Sequence, residues 1–199
     1  MPYDIINHMK RQIILASTSP RRLQLVKLLD IKFKVVDSGY EEVVDPKLNH
    51  QDMVKFLALG KAEATAKKYP RALIVAADTM VSFHGKIIGK PKNKTEAMAM
   101  LKSFSGKAQT LVTGVVVMDA ASGKKVATAV TSKIYFKKLS ERDILDYVRK
   151  ANPYDKAGGY NLQGLGLNLI KKVEGDFTNN LGLPMGVVFN ALQKLGAQV

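Results

Sequence analysis

Two arginines stand where a helix should open. Ser17-Thr18-Ser19-Pro20-Arg21-Arg22 follows the apolar run Ile13-Ile14-Leu15-Ala16, and Ser then Pro is a favoured helix start. The first helical turn carries positive partial charge and favours acidic residues, so Arg21 and Arg22 cost stability there unless an anion is present. A phosphate held by exposed N–H groups, by hydroxyls such as that of Ser17 and by the guanidinium groups offsets the cost. The bland alternative is a solvated basic helix start.

Asp78 ends the buried-looking run Leu73 to Ala77, and Thr79 follows. A carboxylate at the carboxyl end of a strand can hold a hard cation such as Mg²⁺ or act as a general base; a local turn is the alternative. Lys90 lies between Gly89 and Pro91, a rigid non-helical setting suited to presenting an ammonium to phosphate. Lys61 shares a helix face with Leu57 and Thr65, so its stem can lie on apolar surface while its head reaches a cleft. Spacing alone favours a surface lysine. The segment Asp155 to Gly164 combines flexible glycines with the amide of Gln163, which can read both donor and acceptor edges of a base.

Other chemistries are excluded. The chain contains no Cys, which removes disulfides, thiolate metal sites and a cysteine nucleophile. His8, His50 and His84 show no ligand spacing and read as solvated loop residues. Neither a Walker A loop, a dinucleotide fingerprint, HExxH nor a nucleophile elbow occurs. The aromatic residues are scattered, without the interleaved pattern of RNA readers. Lys and Arg number 31 against 17 Asp and Glu, a net charge of +14, which suits a polyanionic partner or simply solubility. The longest apolar run, Ala72 to Ala77, is far short of the ~20 residues of a membrane helix. The start of the chain is polar and resembles no export signal, so a cytoplasmic protein with no membrane partner is expected.

The elements that must position these groups alternate in type over 199 residues, a length suited to one domain. Strands are expected at 13–16, 32–37 and 72–77, with hairpins at 80–83/86–88 and 110–118/125–136 and a last strand at 167–173. Helices are expected from Ser19-Pro20, over 51–69, from a capping box at Asn93 and Glu96 to about 104, over 140–150, and over 184–195. The hairpins predict a mixed rather than purely parallel sheet.

In their joint order, Leu15 to Arg22, Ala77-Asp78-Thr79, Gly89-Lys90-Pro91, Ser105-Gly106 with Thr113-Gly114-Val115, Asp155-Lys156-Ala157-Gly158, Gln163-Gly164 and Gly182-Leu183-Pro184 resemble the Maf family of nucleoside triphosphate pyrophosphatases. The resemblance implies an α/β fold, an elongated mixed β-sheet flanked by helices with a central cleft, similar to the inosine triphosphate pyrophosphatase class. It implies hydrolysis of a nucleoside triphosphate to monophosphate and pyrophosphate with a divalent cation, Mg²⁺ or Mn²⁺. By the family's motifs Ser17, Arg21, Arg22, Lys61 and Lys90 would bind the triphosphate. Glu42 would help hold metal, and Asp78 would be general base or metal ligand. Arg21, Thr79 and Gln163 fall at positions associated with substrate choice.

Ser-Pro-Arg-Arg with the late Gln-Gly looks like the branch acting on dTTP and UTP, or modified pyrimidine triphosphates. The 7-methyl-GTP branch typically carries Trp after Ser-Pro, and this chain has no Trp. Gln109 stands where the family often has His. A single domain over 13–199, two lobes around the cleft, is expected, with 1–12 as an N-terminal extension. A homodimer is a family expectation, and nucleic acid is not an expected partner. The rival readings are a basic nucleic-acid-binding or cell-division regulatory protein without catalysis, and a nucleotide sensor.

Overall fold

The architecture is that of a computed structural model describing residues 11–199. Most of the expected extension, and His8 with it, lies outside the described residues. The chain forms a seven-stranded sheet. β1 (Ile13–Ala16) lies at its parallel end between β2 (Phe33–Val36) and β3 (Leu73–Phe83), and pairs in parallel with both. β4 (Lys86–Ile87) folds back on the end of β3. β5 (Ala108–Asp119), β6 (Lys125–Phe136) and β7 (Ile170–Glu174) continue the sheet antiparallel, giving the order β2-β1-β3-β5-β6-β7. This is the mixed, helix-flanked sheet that the hairpins predict.

Alternation along the strands builds the core. On one face Leu15, Leu73, Val75, Ala77, Val115 and Val117 pack against α1 (Pro20–Lys27) and α5 (Met185–Lys194). On the other, Ile14, Ile74, Ala76 and Val116 meet Ala58 and Ala62 of the long helix α2 (His50–Lys68). Further along the first face Val81, Leu111, Ile134 and Phe136 join Leu101 and Phe104 of α3 (Lys94–Phe104) and Ile144, Tyr147 and Val148 of α4 (Glu141–Lys150). One sheet face thus carries two packing centres. Between them β3 and β5 present not aliphatic residues but the directly paired Thr79 and Thr113. A cleft opens there.

Some local expectations change. The strand expected at 72–77 and the first hairpin strand are one continuous β3, because every residue from Leu73 to Ser82 has a partner on β5. Gly164–Leu169 coils as a 3-10 turn, so the last strand begins at Ile170 rather than Leu167. Ser140 and Asp143 close a full capping box. Asn93 accepts the Glu96 N–H, but the Glu96 carboxylate reaches back to the Lys92 N–H, so that box is displaced by one residue. His50 opens α2 rather than sitting in a loop. Among the described residues no helix is long and apolar enough to cross a membrane.

Candidate active site

The turn between β1 and α1 is built around Arg22. Ser19 precedes the helix in an extended conformation, and its side chain makes no cap bond. The Ser17 hydroxyl instead accepts the Ser19 N–H at 3.2 Å and Arg22 Nη1 at 3.3 Å. Arg22 Nε donates to the Gly182 carbonyl at 2.7 Å and Nη2 to Thr79 Oγ1 at 3.0 Å. The Thr79 and Thr113 hydroxyls bond each other at 3.0 Å, and Thr113 reaches the Asn179 carbonyl at 3.4 Å. Gly182, at φ +90, gives this guanidinium its room: a Cβ would lie 3.3 Å from Thr79 Oγ1 and 3.4 Å from Arg22 Nε. Burial pulls Arg22 down to about 10, with Asp78 and Glu42 opposing and Arg21 reinforcing the shift. The group is therefore still protonated at neutral pH. Nη1 and Nη2 each carry a second N–H for a ligand.

Asp78 and Thr79 are neighbours on a strand and so point to opposite faces. Asp78 turns toward α2, where Lys61 Nζ donates to its Oδ1 at 2.6 Å and also meets Glu42 Oε1 at 2.7 Å. The Lys61 and Asp78 side chains keep only 14% and 12% exposure, while that of Glu42 keeps 53%. Two glycines set this triad: Gly114, which the sequence offers only as part of a family motif, and Gly60, which sequence reasoning passed over. Gly114 pairs with Asp78 across the sheet, and a Cβ on it would lie 2.2 Å from the Val54 carbonyl oxygen of α2. Its bareness lets the helix backbone rest on β5, and Lys61 lies about two turns further along that helix. Gly60 is bare beneath the ring of Tyr40. A lone Gly inside a strand or helix pattern is the sequence signal for such close approaches.

β1 pairs with β3 only as far as Leu15 with Val75, and β4 rejoins β3 at Ser82. Between these points the edge of β3 lies beyond the carboxyl end of β1. The cleft can reach both sheet faces there, as expected for a crevice at strand ends. A cavity of about 270 Å³ occupies it. Arg21, Arg22, Asp78, Thr79 and Lys90 line it, together with the apolar Val81, Leu111, Ile134 and Leu162 and with Tyr160, Asn161 and Asn180. A larger cavity of about 620 Å³ lies at the amino ends of β1 and β3, lined by Ile13, Phe33 and Leu73, and contains none of these groups.

Lys90 is exposed but its loop is pinned. Gly158 N–H donates to the Gly89 carbonyl at 2.9 Å. Gly159, at φ +72, would place a Cβ 3.2 Å from the Pro91 ring. Asp155 pairs with Lys156, which holds its carboxyl below the usual range. Behind the cavity Tyr160 donates to Gln109 Oε1 at 2.8 Å, and burial pushes the Tyr160 phenol far above its ordinary value.

The sequence-predicted residues therefore divide. Arg21, Arg22, Asp78, Thr79 and Lys90 meet at one cavity. Ser17, Lys61 and Glu42 are not among its lining residues but are linked to them: Ser17 is bonded to Arg22, Lys61 to Asp78, and Glu42 to Lys61. Gln163 is exposed and not among the cavity's lining residues; its N–H meets Asn161 Oδ1 at 3.4 Å. Thr113, Tyr160 and Gly182 enter through contacts between distant segments that spacing does not reveal.

Asp78 and Glu42 offer hard carboxylate oxygens, which suit Mg²⁺ or Mn²⁺. Each contacts Lys61 through one oxygen. Among the described residues no group of three or more His, Cys, Asp or Glu is placed to hold a metal. Mg²⁺ commonly takes one or two carboxylates and completes its shell with water and substrate phosphates, so the donor set fits.

Comparison with known proteins bears on the fold and the family. The fold is similar to that of the Staphylococcus aureus Ham1 protein, with a TM-score of 0.55 and 13% identity, over 93% of this chain and 97% of that one. The dTTP/UTP pyrophosphatase of Caldicellulosiruptor saccharolyticus is 40% identical over 190 residues, covering 94% of this chain and 96% of that protein. The dTTP/UTP pyrophosphatases of Methanosarcina barkeri and Geobacillus sp. are 40% and 38% identical, over 95% and 94% of this chain and 96% and 99% of theirs. The family model described as Maf-like protein matches residues 12–195, and with nearly the whole chain matched, this protein belongs to the Maf family.

Proposed function

We propose that the protein is a nucleoside triphosphate pyrophosphatase that hydrolyses dTTP and UTP to the monophosphate and pyrophosphate. The carrying observation is the pairing of a Lys61-held Asp78 carboxylate with Arg21, Arg22 and Lys90 around one cavity, in a chain whose relatives are dTTP/UTP pyrophosphatases. Arg21, Lys61 and Lys90 take the triphosphate oxygens, as does the free side of Arg22, which Ser17 holds in place. Arg21, Thr79 and Gln163 bear on substrate choice, Gln163 on the family resemblance alone, since it is not among the cavity's lining residues. Water attacks the α-phosphorus in line, the bond from the α-phosphorus to the bridging oxygen breaks, and pyrophosphate leaves. Asp78 accepts the proton from that water, and the cations neutralise charge growing on the leaving group. Asp78 and Glu42 would hold Mg²⁺ or Mn²⁺, which when bound polarises phosphate oxygens and lowers the pKa of water.

A panel of common and modified triphosphates, read by pyrophosphate release with Mg²⁺ or Mn²⁺, tests the assignment. UTP and dTTP are expected to be cleaved fastest, and Asp78→Asn to lower kcat about 10³-fold. A folded, metal-loaded protein that leaves every triphosphate intact refutes it. We propose further that the enzyme works in the cytoplasm, on the short apolar runs and polar start of its sequence, and as a homodimer, on the family resemblance alone; cell fractionation and sedimentation equilibrium check the two statements.

A further inference from the structure

Glu42 needs support that its own ion pair does not supply. Its side chain is 53% exposed, and an ion pair so open to water holds a side chain weakly. It also lies in a stretch of irregular chain, residues 37–45, with neither strand nor helix to fix it. Yet its Oε1 stands 2.7 Å from Lys61 Nζ.

The loop is tied to α2 at two places. Lys68 Nζ donates to the Ser38 carbonyl at 3.3 Å. Two residues before Glu42, the far end of the Tyr40 ring occupies the space above Gly60: a Cβ there would lie 2.2 Å from Tyr40 Cζ, 2.5 Å from Cε2 and 2.7 Å from the phenol oxygen. Gly is the least favourable helix-interior residue short of Pro, and here it stands inside a helix of 19 residues. No positive φ demands it, because Gly60 is not among the positive-φ glycines. What requires a bare Cα is the ring. The residue next to Gly60 is Lys61, the partner of both carboxylates.

We propose that Tyr40, seated on the bare Cα of Gly60, is a positioning residue that holds Glu42 beside Lys61 and Asp78. The pair thereby sets how tightly the two carboxylates take a divalent cation. This rests on the assignment of Glu42 and Asp78 as metal-holding residues. The proposal separates stability from affinity. In Gly60→Ala the methyl meets only the tip of a movable side chain, so the ring swings away at little cost while the helix gains a better former. The loop is loosened and the helix is not.

The test is uptake of Mn²⁺ by the nucleotide-free protein, followed by loss of the free-ion electron paramagnetic resonance signal, beside a melting curve for each variant. Gly60→Ala and Tyr40→Ala are expected to weaken uptake about tenfold, the scale of outer-shell changes at metal sites. Gly60→Ala is expected to melt at or above the wild-type temperature. Tyr40→Phe keeps the ring and is expected to bind as the wild type does. Wild-type affinity in Gly60→Ala and Tyr40→Ala, with Glu42→Gln weakened, overturns this proposal alone. No uptake by the wild type, or uptake indifferent to Glu42→Gln, overturns the metal assignment and this proposal together.

Discussion

Arg22 donates through three nitrogens to the Ser17 hydroxyl, the Thr79 hydroxyl and the Gly182 carbonyl. A planar fork can do this; the single ammonium of a lysine cannot reach the same three points. Arg22→Lys is expected to cost about 2 kcal/mol of stability, because buried acceptors lose their donor, and to lower kcat/KM for UTP. Urea unfolding and steady-state kinetics measure the two effects. The sequence shows Arg22 as a cation at a helix start. It does not show the burial, since the partners Thr79 and Gly182 lie 57 and 160 residues away. Asp78 was legible from its place at the end of an apolar run. Its grip by Lys61 was not, because spacing along a helix says which residues share a face but not what that face meets.

At the scale of elements, the height of α2 above the sheet decides where Lys61 stands. Gly114→Ala puts a methyl against backbone atoms of Val54 and Lys55, at 2.2 to 2.6 Å, and backbone cannot swing aside as a ring tip can. The helix must lift. A loss of about 3 kcal/mol is expected, with kcat falling in the residual folded enzyme as Lys61 withdraws from Asp78; thermal melting and activity at a permissive temperature check this. Apolar periodicity placed most helices and strands within a few residues. It missed the continuity of β3, because Asp78 and Thr79 interrupt the apolar pattern while the β5 ladder runs on through them. It also missed the turn over Gly164–Leu169, where leucines spaced like strand residues instead serve a coil.

At the scale of the whole molecule, a net charge of +14 far exceeds what Arg21, Arg22, Lys61 and Lys90 explain. A field of that sign raises the encounter rate with a polyanion and is screened by salt. kcat/KM for UTP is therefore expected to fall several-fold between 50 mM and 500 mM salt while kcat changes little; a salt-independent kcat/KM would show that the surplus charge plays no part in capture. Composition revealed the charge, but only the fold shows that a handful of these cations converge on one cavity.

The two packing centres beside the cleft rest on the same long strands. β3, β5 and β6 run beneath both, and the pairing from Leu73 with Asp119 to Ser82 with Thr110 passes under the gap. Two jaws joined by a flexible linker can swing shut on whatever lies between them. Jaws bolted to a common beam cannot, because closing them means bending the beam and stretching its ladder of hydrogen bonds. The width of the opening is therefore tied to the twist of three shared strands. Adjustment to a ligand falls first to the irregular segments beside the strands, such as the loop that carries Lys90.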